Sequence, residues 1–345
     1  MSNSIPAEEK AISISVLIVT YGNRWHFLKQ VLESVCNEPI INGIILVNNA
    51  VDYDLSQKLK ESRLCSNLAI ETINLPTNQG SAGGIKIGLE LALTLNIDFL
   101  YILDDDNIIT PSTVGNLLNA YYNLESKLLP LALFSYREGS SPFFRDIARG
   151  INPKYLYNKK NNFAGFSLQH LLSNKYRKWF LDPKLGSSLI PIVKIPIAPW
   201  SGLLFPITTI QKMGLPMEEY YLYADDTEYT YRITKTGGSI WMVTDSIVKD
   251  LEISWGFQQR KNKFIHIPIL ENTGFRVYYT IRNLVHFSKH NLVNNQFLFL
   301  LNGVLFTCYL FSAALFLRKL GAFVIYWKAI QDGLKGNLGP RFDVK

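Results

Sequence analysis

The chain has 345 residues, 48% hydrophobic and 13% aromatic, and a formal net charge of +7. This composition excludes a disordered or fibrous protein, and the length allows one large α/β domain with an appendage, or two domains. The positive balance suits an anionic partner, either a nucleotide or an acidic lipid surface. No basic–aromatic module of a nucleic-acid binder is present, so nucleic acid is not expected as a partner.

Met1 to Lys10 is polar, with two glutamates and no apolar signal core, so export is not expected. Residues 12–20 (ISISVLIVT) predict a buried strand ended by Tyr21-Gly22-Asn23-Arg24, and residues 25–36 have helical spacing through Phe27, Val31, Leu32 and Val35. A second strand at 43–47 ends in Asn48-Asn49, a helix follows over 54–62, and a third strand covers 68–74. The glycine-rich loop 76–84 then leads into a helix through Ile87, Leu91 and Leu95, and a fourth strand runs into Asp104-Asp105-Asp106-Asn107. Strand and helix alternating at this spacing predict a doubly wound, parallel sheet with right-handed crossovers.

Residues 119–199 are less regular and read as an insertion facing an acceptor. From Trp200-Ser201-Gly202 the pattern sharpens, through Tyr223-Ala-Asp225-Asp226-Thr-Glu228, a helix over 227–235 and a strand over 239–244. Cys36, Cys65 and Cys308 lie far apart, are odd in number and form no CxxC pair, so they read as reduced thiols of a cytoplasmic protein. No internal repeat or low-complexity linker is visible.

Three adjacent carboxylates after an apolar strand repel one another. They are tolerable where a hard divalent cation sits on them, or as a solvated acidic turn capping the next helix. At the end of a strand they would face the crevice where open α/β sheets bind ligands. The glycine-rich stretch Asn78-Gln-Gly80-Ser-Ala-Gly83-Gly84 suits either phosphate recognition by free backbone N–H groups or simple helix capping. It is neither a Walker loop nor a dinucleotide fingerprint. Asp225-Asp226 and Glu228 fit a helix N-terminus, and equally a general base whose pKa is raised by like charge and a desolvated pocket.

In this order the pieces resemble the inverting GT-A nucleotide-sugar glycosyltransferases of family two. The resemblance runs from about Ser13 to Asn283 and rests on Val19–Arg24, Asn78–Gly84, Leu103–Asn107, Trp200–Gly202, Tyr223–Arg232 and Tyr278–Asn283. The form of the Asp cluster, with Asp332-Gly-Leu-Lys-Gly336, is similar to bacterial galactofuranosyl- and rhamnosyltransferases of surface-polysaccharide synthesis. The resemblance implies a GT-A, Rossmann-like, mostly parallel sheet flanked by helices. It places a catalytic domain over 1–255 and a C-terminal helical, membrane-associating region over 256–345.

It implies donor contacts from Thr20, Tyr21, Arg24, Asn48, Asn49, Asn78, Gly80, Gly83, Gly84, Asp104 and Asp105, and a Mn²⁺ or Mg²⁺ held by Asp104 and Asp106. Asp226 would be the base, with Asp225 or Glu228 orienting it, and Trp200, Ser201 and Gly202 would wall the acceptor. Relatives of this kind carry a histidine where Val248-Lys249-Asp250-Leu251-Glu252 stands here. Lys249 would then neutralise the diphosphate directly, with Asp250 or His266 as a replacement ligand. The implied reaction moves galactofuranose or galactose from a UDP-sugar onto a lipid-linked or growing O-antigen or capsule glycan. The alternatives are rhamnosyl transfer from dTDP-rhamnose, or a non-catalytic nucleotide-sugar-binding assembly subunit.

Phe297–Leu317 carries no charge, is followed by Arg318-Lys319, and has the length of a bilayer crossing. A crossing would place a basic tail outside, so a helix lying in the inner leaflet is expected, with a buried hairpin or a dimer interface as the alternatives. The expected setting is peripheral or monotopic at the cytoplasmic face of a bacterial inner membrane. The partners would be a nucleotide sugar, a glycan or polyprenyl-diphosphate-linked acceptor, and possible further copies of the chain.

Overall fold

The computed structural model describes residues 12–125, 130–138, 142–157, 160–181, 186–252 and 274–342. Its first half alternates β1 (Ile14–Gly22), α1 (Trp25–Cys36), β2 (Gly43–Val51), α2 (Leu55–Ser62), β3 (Ala69–Leu75), α3 (Gly80–Thr94) and β4 (Phe99–Asp104). There follow β5 (Asn107–Ile109), α4 (Thr113–Asn123), β6 (Leu131–Glu138), α5 (Pro142–Ala148), α6 (Leu168–Tyr176) and β7 (Ile192–Ile195). The sheet region closes with β8 (Leu203–Pro206), α7 (Ile207–Met213), α8 (Asp225–Lys235) and β9 (Ser239–Asp250). Helices α9 (Phe275–Asn291), α10 (Gln296–Phe316) and α11 (Leu320–Lys335) complete the described chain.

The strands form one sheet in the order β3-β2-β1-β4-β8-β6-β9-β5, with β7 also on β9. β3, β2, β1 and β4 are parallel, as the alternation predicts. β8 is antiparallel to β4, because the chain returns from the insertion already at the C-terminal end of β4: Leu203 pairs with Ile102 and Pro206 with Phe99. A strand that starts there can only run back.

Successive residues of a strand face opposite sides of the sheet, and this splits the core in two. Leu17, Ile45, Leu100 and Ile102 pack beneath α3, through Ile85, Leu89 and Ala92. Val16, Ile18, Ile44, Tyr101 and Leu103 pack against α1 and α4, through Leu28, Val31, Leu32, Val114 and Leu117. Gly84 and Gly88 let α3 approach the sheet closely, since a Cβ would collide with Val19 or Leu17.

Two expectations are corrected. Asn48 and Asn49 lie within β2, which runs on to Val51. Cys36, at the end of α1, and Cys65, after α2, form a disulfide with Cα atoms 5.3 Å apart, leaving Cys308 free. Their separation of 29 residues in sequence hides a proximity created by packing both helical ends on one face.

The C-terminal helices make a third core, in which Tyr278, Tyr279, Val285, Phe299, Phe306, Tyr326 and Ile330 are buried. Among the described residues α10 alone is long and apolar enough to cross a bilayer. Its stripe Phe299, Gly303, Phe306, Leu310, Ala314 faces the protein, while Phe297, Val304, Leu315 and Phe316 are exposed.

Candidate active site

A cavity of about 240 Å³ opens at the C-terminal ends of β1, β2 and β4. Its walls include Tyr21, Arg24, Asn49, Asn78, Gly80, Ser81, Asp104, Asp105, Asp106, Trp200, Tyr223 and Arg276. Carboxylates from β4, cations from two ends of the chain and a helix N-terminus therefore meet in one place.

The Asp cluster is held by named partners. Asp105 is buried, accepting from Thr20 Oγ1 at 2.8 Å and from Arg24 Nε at 2.9 Å. Arg24 continues to Asp106 at 2.8 Å and to Glu252 at 3.0 Å, so one guanidinium clamps three carboxylates. Asn107 donates to Asp106 and to Asp250, which also pairs with Arg137 at 2.6 Å. Asp104 itself, the last residue of β4, keeps its carboxylate open to the cavity. Lost hydration in the cleft, then the charge of Asp106, pushes its carboxyl up; Asp226 adds to this across the site. Burial likewise lifts Asp105, to about 6, against the opposing Arg24.

The turn into α3 is fixed from β2. Asn49 accepts from Gln79 N at 2.7 Å and donates to Gly80 O at 3.0 Å, and Asn78 Oδ1 accepts from Gly80 N. Ala82 N bonds to the Tyr221 carbonyl. These amides are thus engaged within the protein, which corrects the picture of a free N–H cradle. Gly80 has φ +68° and would collide with Tyr221 if it bore a Cβ, so its role is close approach. Gly83 and Gly84 lie inside α3, outside the cavity walls, and Asn48 bonds to Asn74 away from them.

Behind the lining residues Trp200 and Ser81, buried Asp225 accepts at Oδ2 from Trp200 Nε1 at 2.8 Å and from Ser81 Oγ at 3.0 Å. Trp200 is 5% exposed and packs on Tyr229, yet it reaches the cavity wall, so it is both core aromatic and lining. Asp226 follows in the first turn of α8; burial, then Asp225, pushes its carboxyl up to about 7, against the charge of Arg137. Ser201 lies behind the wall, accepting from Asp104 N and donating to Asn107, and Gly202 packs on Phe134 and Ser135.

Two expected contributors are placed elsewhere. Glu228 is buried in an ion pair with Arg232 one turn along α8 and does not line the cavity. Lys249 is exposed on β9, opposite Ile108 of the short strand β5, also outside the walls. Its neighbours reach the cluster instead, Asp250 through Arg137 and Glu252 through Arg24. His266 lies outside the described residues.

Sequence reasoning missed Arg276 and Arg137. Arg276 lines the cavity from the first turn of α9, where it hydrogen-bonds Tyr223. Arg137, next to last in β6, pairs with Asp250 and feels the charges of Asp104 and Asp106. Neither sits in a recognisable motif; only the sheet order brings them here.

The loop before α8 holds three consecutive-neighbourhood residues in left-handed backbone, Tyr221, Tyr223 and Ala224. Such non-glycine conformations are costly and persist only when overdetermined. Asn283 Nδ2 donates to the carbonyls of Tyr220, Leu222 and Tyr223, each at 2.8 Å, and Arg282 to those of Tyr220 and Gly339. Both side chains are completely buried. They staple the loop that delivers Asp225 and Asp226.

Asp104 and Asp106 fit a divalent ion to the extent of two carboxylates on one wall, each with lone pairs remaining. No group of three His, Cys, Asp or Glu side chains suited to a metal occurs among the described residues, so phosphate oxygens and water would complete such a shell.

Residues 15–175 match the sequence family described as Glycosyl transferase family 2. No curated protein matches the chain. Among solved structures, GalNAc-T7 with UDP, GalNAc and Mn²⁺ aligns with a TM-score of 0.54 and 15% identity, covering 82% of this chain and 48% of its own. The chain thus spans about half the length of that protein. S. aureus TarS 1-349 aligns with a TM-score of 0.51 and 13% identity, covering 93% and 81%. The same protein in complex with UDP-GlcNAc gives 0.50 and 14%, covering 94% and 81%. At these identities the likeness shows the fold, which is GT-A: a largely parallel central sheet flanked by helices, followed here by C-terminal helices, one of them apolar.

Proposed function

We propose that this chain, a glycosyltransferase carrying a family 2 domain, moves a single sugar from a nucleoside diphosphate to a hydroxyl with inversion. The observation that carries this reading is the open Asp104 carboxylate on the cavity wall, with Asp226 at the start of α8 near enough for its charge to raise the Asp104 carboxyl. This pairing supports a leaving-group side at Asp104 and a base at Asp226.

Tyr21, Arg24 and Asn49 would border the nucleotide, and Arg276, supplied by α9, would meet the diphosphate as a bidentate donor. Asp104 and Asp106 would hold Mn²⁺ or Mg²⁺, which when bound supplies Lewis-acid stabilisation of the departing diphosphate. GalNAc-T7 is described with UDP and Mn²⁺, and TarS with UDP-GlcNAc, which supports a UDP-sugar donor. Asp226 would accept the proton of the acceptor hydroxyl, while Asp225, pinned by Trp200 and Ser81, fixes its approach. One base and one attack invert the anomeric carbon. Asp225 replaces Glu228 as the orienting residue, and Arg276 replaces Lys249 as the diphosphate cation.

The best donor candidates are UDP-galactofuranose or UDP-galactose, with dTDP-rhamnose as the alternative, and the acceptor a lipid-linked or growing surface glycan. α10 and α11, with Phe316 81% and Val324 65% exposed, suit a seat at the cytoplasmic face of an inner membrane. Incubating the full chain with Mn²⁺ and each nucleotide sugar, with NMR of the product anomer, tests the reading. Retention of configuration, or no turnover of any donor with membrane acceptor extracts, would overturn it.

A further inference from the structure

We propose that α6 and the helical turn after it, residues 168–181, form a second membrane contact continuous with α10, and that its occupant is the surface of an anionic bilayer. The proposal rests on the membrane seat given above and adds an element to it.

No side chain of α6 is buried. Leu168, Leu172, Tyr176 and Trp179 recur every three or four residues and are all exposed, Leu172 at 63% and Trp179 at 70%. Leu171 and Phe180 broaden the same stripe. A nine-residue helix with its apolar stripe in water has little to stabilise it, because such short helices depend on burying one face. Contiguous exposed apolar surface of this kind marks a contact.

The segment is held in place at both ends. Leu168 N donates to Asn302 Oδ1 of α10 at 3.1 Å, and the rings of Phe166 and Phe306 lie 5.9 Å apart. Arg177, buried, pairs with Asp146 at 2.9 Å. The stripe therefore starts against the apolar helix α10 and is fixed relative to it.

Charge selects the occupant. The sequence has no Asp or Glu between Asp146 and Asp182, and none between Glu271 and Asp332, the two stretches that carry these exposed apolar residues. Lys175 and Lys178 are exposed on the first stretch, and Arg318, Lys319 and Lys328 on the second. Apolar surface edged by lysine and arginine, free of carboxylates and with Trp and Tyr on it, fits an anionic lipid interface.

The test is co-flotation of the full chain with phosphatidylcholine vesicles, with and without phosphatidylglycerol. Leu172→Glu/Trp179→Glu and Lys175→Glu/Lys178→Glu are compared with wild type, with melting and UDP binding as folding controls. Binding of wild type to the anionic vesicles, weakened about ten-fold or more in each variant while melting and UDP binding hold, is the expected result. Variants that float like wild type would overturn the second contact and leave α10 as the seat. A wild type that ignores both vesicles would overturn the membrane seat and the second contact together. Self-association lost in the Glu variants, without vesicle binding, would assign the stripe to a second copy and also overturn the proposal. Trp179→Phe gives an independent reading, since it should remove part of the fluorescence quenching by brominated lipid.

Discussion

Trp200 and Asp225 are joined by a 2.8 Å hydrogen bond from the indole Nε1 to a carboxylate oxygen that also accepts from Ser81. The bond ties the wall of the cavity to the start of α8. In Trp200→Phe the ring packing on Tyr229 is largely kept and the donor is lost. A hydrogen bond to a charged group is worth about 1.5–3 kcal/mol, so thermal unfolding should fall by that order and turnover should fall with it. Unchanged melting and turnover would show that the bond does not fix Asp225.

Asp226→Asn should lower transfer by about 10²–10⁴ while leaving UDP affinity as it was, because only base help is removed. Burial and Asp225 push the Asp226 carboxyl up to about 7. A base works only when ionised, so wild-type turnover should rise as pH increases through about 7, and the residual rate of the Asn variant should lack this step. Loss of UDP binding in the variant, read by calorimetry, would count against the assignment.

Arg276→Ala should weaken UDP by about ten-fold or more and leave uridine unaffected, since a charge-assisted pair to the diphosphate is what disappears. Lys249→Ala should change neither, because Lys249 stands outside the cavity. Equal loss for uridine and UDP would place Arg276 at the nucleoside instead.

Asn283→Asp should destabilise the protein more than Asn283→Ala. The carboxylate keeps the size but cannot donate to the carbonyls of Tyr220, Leu222 and Tyr223, and it adds a buried charge facing them. Losses of about 1–3 kcal/mol or more are expected, measured by denaturant melts. The reverse order of the two variants would show that the side chain fills space and does not staple the loop.

The raised carboxyls set the pH dependence of stability without ligand. Asp104, Asp105 and Asp226 bind protons more tightly folded than unfolded, so stability should rise as pH falls from above about 7 toward their unfolded values near 4. His286, lowered to about 4 by burial and His290, opposes this below about 6.5. Comparing wild type with Asp104→Asn removes the histidine's contribution, and the variant should show the shallower acid stabilisation in thermal melts. Equal slopes would mean that Asp104 is hydrated as freely in the fold as in the unfolded chain.

Much of this was legible in the chain. Helix α1 and the strands β1 to β4 follow from hydrophobic period, and Arg24, Asn49, Asn78 and the Asp cluster do meet at one site. Long-range placement was not legible. Arg137 and Arg276 reach the acidic cleft through sheet order and through α9, and no local pattern marks that. Glycine was ambiguous for a related reason: Gly84 and Gly88 look like a phosphate loop in sequence, but serve close packing of α3 on β1. Cys36 and Cys65 show the same limit, since pairing is decided by where two helices end.

The Arg282–Asn283 staple has a consequence for how this architecture can be recombined. The residues that shape the approach to Asp225 and Asp226 belong to a helix some sixty positions downstream, the one that also packs against α11. A chimera that exchanges the C-terminal helices for those of another protein inherits a slack loop before α8 unless the donor helix brings an arginine and an asparagine at matching positions. Variation in these helices and variation in the geometry of the loop before α8 are therefore inherited together.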